Sequence, residues 1–138
     1  SGIMTYDFRL ESEGTFSTEL QMTNTGSLES LYEDCRGVYV HNATFVGVPV
    51  VRFGNSGDLV SSGNASTGLG VEVTSLSTAF FAKGDNFNKT VDIINEGNVR
   101  GFSSSIGTSV QDATFANCLG GTWSVRNEGS VAGLVEAV

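Results

Sequence analysis

Proline is almost absent from this chain: Pro49 is the only one in 138 residues, against 18 glycines. The backbone must therefore turn mainly on glycine, without proline-rich spacers. Cysteine is nearly as scarce. Cys35 and Cys118 allow one disulfide at most, which rules out a dense disulfide framework. A bridge and two free, half-buried thiols both stay open, with the free thiols as the first expectation. Histidine occurs once, at position 41. A Ser-His-Asp set or an imidazole-bound metal would have to use it, yet neither a Gly-x-Ser-x-Gly motif nor a second histidine accompanies it. His41 reads as a solvated strand residue.

Positive charge is also lacking. Seven lysines and arginines face fifteen acidic residues, for a net charge of −8. No two basic residues adjoin, so nothing resembles the concentrated basic face of a nucleic-acid binder or of a protein docked on anionic lipid. No window approaches the roughly twenty apolar residues of a membrane-spanning helix, which argues against membrane insertion. The start of the chain does not read as a charged, then apolar, then small-residue leader. No cofactor motif stands out, and the expectation is neither cofactor nor metal. Lys83–Asn88 and Gly54–Asp58 offer oxygen ligands but lack the carboxylate spacing of a calcium loop, and turn chemistry accounts for both. The acids at Glu11/Glu13 and Glu29/Glu33/Asp34 read as surface charge rather than as a glycosidase pair. Sequons at Asn42, Asn64 and Asn88 number about what ten asparagines in a Ser/Thr-rich chain give by chance.

What is present is alternation. Leu20/Met22, Val71/Val73, Val91/Ile93 and Trp123/Val125 each flank a polar residue, the period-two signature of half-buried strands. Three such runs end in Asn-x-Gly, at Asn24, Asn95 and Asn127, which reads as a repeated strand-ending turn. Phe16–Leu31 also lies over Phe87–Phe102 with an offset of 71 residues. Val40–Phe45 lies over Val110–Phe115, Val51-Arg52 over Val125-Arg126, and Leu59-Val60 over Leu134-Val135. No sustained helical stripe appears, although Glu29–Arg36 has room for one or two helical turns.

The expected fold is all-β, a single domain over 1–138 built from two tandem halves, roughly 1–66 and 67–138. The Gly/Ser-rich segment 54–70 reads as the junction between them. Two architectures fit: a sandwich or jelly-roll-like barrel, which the irregular spacing favours, and a short β-solenoid.

With no catalytic set in view, the expectation is a non-catalytic structural protein rather than an enzyme. A virion surface component, such as a phage capsid-decoration, cement or fibre subunit, fits best. It would be assembled in the host cytoplasm and partnered by itself and by other coat proteins. A homo-oligomer is expected, with a trimer the favoured form. The second reading is a secreted or cell-surface filament or adhesin module, with glycan binding in view. Candidate interface residues are Ile3, Met4, Tyr6 and Phe8, on a segment able to add a strand to another chain, together with Trp123, which otherwise reads as a core anchor.

Overall fold

The computed structural model describes residues 2–11, 19–79, 90–116 and 122–133. All the regular structure within them is β, as expected, and the architecture is the solenoid rather than the sandwich. Twelve strands follow one another: β1 (Ile3–Glu11), β2 (Glu19–Asn24), β3 (Leu28–Ser30), β4 (Cys35–Val46), β5 (Val50–Asn55), β6 (Leu59–Ser61), β7 (Thr67–Ala79), β8 (Thr90–Asn95), β9 (Val99–Gly101), β10 (Ser104–Ala116), β11 (Thr122–Asn127) and β12 (Val131–Gly133). Every third strand joins the same sheet. The three sheets are β1-β4-β7-β10, β2-β5-β8-β11 and β3-β6-β9-β12, and all pairings are parallel. Each coil thus lays one strand on each of three walls, and the described residues make four stacked coils.

The 71-residue offset is therefore a step of two coils, not the boundary between two halves. Single steps between the asparagines are 31, 40 and 32 residues. The long step contains residues 80–89, between β7 and β8. Segment 54–70 is built into the second and third coils, running through the end of β5, all of β6 and the start of β7. Glu29–Arg36 forms no helix; it covers the end of β3, a bend and the start of β4. Val40–Phe45 and Val110–Phe115 occupy the same positions two coils apart, each in register with Val73–Thr78. The other two alignments shift, because Val51 stands in register with Trp123 through Val91, and Leu59 with Val131 through Val99. Leu134 and Val135 lie outside the described residues.

Parallel stacking turns alternation into columns. Inward residues align as Leu20–Val51–Val91–Trp123 and as Met22–Phe53–Ile93–Val125. On the first wall Val38 and Val40 are buried, but so are Ala43 and Phe45. The inward phase flips between them because Asn42 takes a left-handed conformation, φ 53°. Its equivalents Asp7, Ser75 and Asp112 do the same, at φ 49°, 60° and 54°, flanked by pairs that stay in register. One such residue per coil bends the wall, and Asn and Asp tolerate that region best among non-glycine residues. A smaller cluster of Cys35, Leu59 and Val99, with Leu28 against it, fills the inside of the third wall.

Candidate functional site

The strand-ending asparagines form a continuous ladder inside the coil. Asn24 Nδ2 donates to Asn55 Oδ1 (2.8 Å), Asn55 Nδ2 to Asn95 Oδ1 (2.8 Å), and Asn95 Nδ2 to Asn127 Oδ1 (2.7 Å). The same nitrogens also donate to the carbonyls of Gly26, Gly57, Gly97 and Gly129, two residues on in each case (2.9–3.0 Å). Asn55 and Asn95 are buried, so these bonds satisfy amides that would otherwise be costly to desolvate. The backbone locks the same corner. Asn55 O accepts from the amides of Glu96 (2.7 Å) and Gly97 (3.1 Å), and Asn95 O from those of Glu128 (2.7 Å) and Gly129 (3.1 Å). Glycine is required here by close approach: a Cβ on Gly57, Gly97 or Gly129 would collide with the glycine carbonyl one coil earlier.

The two ends of the stack differ from its middle. The columns that bury Val51 and Phe53 completely finish in Trp123 and Val125, which are 58% and 38% exposed. Ile106, on the same last coil, is 39% exposed. Trp123, expected either in the core or at an interface, occupies an inward position at the end of a column. At the other end Ile3 and Phe8 are half-buried against the core, while Met4 and Tyr6 point outward and are exposed. Residues 3–11 are not a free arm. They form β1 and pair with β4 of the same chain, from Ile3 opposite Val38 to Glu11 opposite Val46.

A second feature lies on the outer face of the first wall. Tyr6 packs edge-on against Tyr39 (centroids 5.6 Å apart) and His41 (5.7 Å). Arg36 lies over the Tyr39 ring at 5.2 Å and donates to Glu72 (2.5 Å). Burial pulls the Arg36 pKa down, but Glu72 and Asp34 outweigh it and hold the guanidinium charged. His41 Nδ1 is 2.7 Å from Thr74 Oγ1. His41 is thus a half-buried member of an aromatic group rather than a freely solvated one. Parallel pairing completes that group by joining Tyr6 to Tyr39 and Thr74 to His41, each pair 33 positions apart, and that part of it is not announced locally in the sequence.

The second wall carries paired charges outside: Arg52 with Glu19 (2.5 Å), and Arg126 with Asp92 (3.1 Å) and Glu128 (2.6 Å). Between them a shallow depression of about 190 Å³ opens over Gly54, where a side chain is missing. Asp58, in the Gly54–Asp58 segment, accepts from Asn98 Nδ2 at 2.9 Å. Among the described residues no group of three or more His, Cys, Asp or Glu is placed to hold a metal. Asn42 is an exposed corner residue donating to Asp7, whereas Ser66 of the Asn64 sequon is buried on Gly63 O. Cys35 is a buried free thiol, and burial pushes its pKa above the ordinary 9.0. Cys118, Lys83–Asn88 and the Asn88 sequon lie outside the described residues. Among the described residues no helix is long and apolar enough to cross a membrane.

No family model, curated protein or solved structure matches the chain.

Proposed function

We propose that this chain is a non-catalytic structural protein that assembles with copies of itself and with coat proteins at a virion surface, as a fibre or decoration subunit of a phage. One observation carries this reading: the buried apolar columns end in exposed Trp123 and Val125. Apolar surface of that kind, continuous with a core, favours association. The all-parallel coil and the acidic composition are compatible with a structural wall. The test is sedimentation of the whole chain over a wide concentration range, together with immunogold labelling of particles from the source. Association with labelled particles supports the reading, and a strictly monomeric chain that labels no particle overturns it.

A second reading, a glycan-binding adhesin on a cell surface, draws on the outward group of Tyr6, Tyr39 and His41. Aromatic rings held on a rigid sheet, with Glu72 and Thr74 beside them, match the needs of a sugar platform. A neutral polysaccharide retained by the wild-type chain and released by Tyr6→Ala would favour it.

A further inference from the structure

Resting on the self-assembling reading, we infer that copies join end to end, the first coil of one chain stacking on the fourth coil of another and continuing its walls in the same parallel register. The ladder has a direction. Each asparagine uses one N–H on the glycine carbonyl two residues on and the other on the next asparagine. Asn127 Nδ2 makes only the first of these bonds within the ladder, and Asn24 Oδ1 receives no donor from another ladder asparagine. One end thus offers a donor and the other an acceptor, in the order a further step requires.

The backbone at this corner repeats the logic. Asn24, Asn55 and Asn95 carbonyls each accept from the following coil, and the same step beyond Asn127 would be filled by the amides of Thr25 and Gly26 of the next copy. In the other direction Leu28, Leu59 and Val99 amides donate to Asp58, Asn98 and Ser130 carbonyls. Val131 N–H would continue that series on Ser27 O. Apolar columns meet as well, Trp123 over Leu20 and Val125 over Met22, joining the exposed residues of one end to the half-buried ones of the other. Because the two surfaces differ, the contact is head-to-tail and grows without closing. That favours an axial filament over a closed trimer.

One pair opposes it. Continuing the first wall places Asp112 against Asp7 of the next copy, both exposed at the left-handed corner. Within the chain the same corner is favourable, because Asn42 donates to Asp7 at 2.5 Å.

Two substitutions separate stacking from any other association. Unlike Gly57, Gly97 and Gly129, Gly26 has room above it: an added Cβ meets nothing nearer than Asn24 Oδ1 at 3.8 Å. Gly26→Ala therefore leaves the isolated chain folded but drives a methyl into the Gly129 carbonyl of a stacked copy, as at the three equivalent glycines. Asp112→Asn removes the opposing charge and supplies the donor that Asn42 supplies inside the chain. In sedimentation velocity over a concentration series, the wild-type coefficient should climb without a plateau. Gly26→Ala should abolish the climb while its circular dichroism and dilute-solution melting stay at wild-type values. Asp112→Asn should reach the same association at roughly three- to tenfold lower concentration. Association equal in all three chains, or a wild-type plateau at a closed trimer, overturns end stacking and leaves the self-assembling reading standing. No association in any of them overturns both. Should Gly26→Ala lose its fold, the direction of the Asp112→Asn shift decides alone.

Discussion

The second and fourth coils are laid down on one plan, apolar columns ending in Asn-x-Gly, and end up in different environments. Val51 and Phe53 are completely buried, whereas their counterparts Trp123 and Val125 are exposed. Asn55 is buried and bonded on both sides, whereas Asn127 is exposed and bonded to the ladder on one. Burial in a solenoid is thus a property of having a neighbour on each side, not of the residue or its strand. An inward-facing side chain is only half enclosed by its own coil.

Matched substitutions in the middle and at the end should break or sharpen that contrast. The largest effect is expected from Phe53→Ala, which empties the centre of a column and should cost about 3–5 kcal/mol in denaturant unfolding. Trp123→Ala, at the column end, should cost about 1 kcal/mol or less. Equal losses would mean that the fourth coil is enclosed as tightly as the second. Next comes the ladder. Asn55→Ala strands Asn24 Nδ2, Gly57 O and Asn95 Oδ1 in the interior and should cost about 2–3 kcal/mol, against about 1 kcal/mol for Asn127→Ala. Thermal melts of both variants under one buffer check the ratio.

The glycine pair follows. Gly97→Ala forces a carbonyl of the preceding coil to move and should cost about 1–3 kcal/mol. Gly26→Ala should fall within about 0.5 kcal/mol of wild type in dilute solution. The smallest effect should come from Cys35. Its thiol ionises at higher pH when folded than when unfolded, so above the ordinary value the unfolded chain holds fewer protons, and stability falls as pH rises. Urea midpoints at about pH 8 and about pH 10 should differ less in Cys35→Ala than in wild type. An identical drop in both would assign the loss to other groups.

Much of this was legible before any coordinates. Asn24, Asn95 and Asn127 do end equivalent strands, and the alternating runs are strands. The fourth Asn-x-Gly, Asn55-Ser56-Gly57, was equally visible, but the glycines and serines around it imitate a linker. Without it, the even steps either side of the long one could not be seen, and two coils passed for half a sandwich. Period-two alternation also breaks where a left-handed residue flips its phase, at Asn42, Ser75 and Asp112, so it does not by itself give the full length of β4, β7 and β10. The aromatic group and the unfinished column ends were out of reach for a different reason. Tyr6 meets Tyr39 and His41 only through strand pairing across coils, and nothing in Trp123 or Val125 tells whether another coil will cover them.

The corner residues Asp7, Asn42, Ser75 and Asp112 have an implication for how such a chain can change. Each is a single uncounted beat in a wall that otherwise keeps strict parity between inside and outside. Losing that beat from one coil would turn the residues after it inside out, sending Phe45 to solvent and Thr44 to the core while the coils above and below kept their order. Gaining a beat elsewhere in the wall would do the same. The wall therefore tolerates length changes only in even numbers, whereas a connection between walls carries no parity to protect. The extra residues of the long step fall in such connections, most of them between β7 and β8 and the rest between β6 and β7, and the columns on either side stay in register.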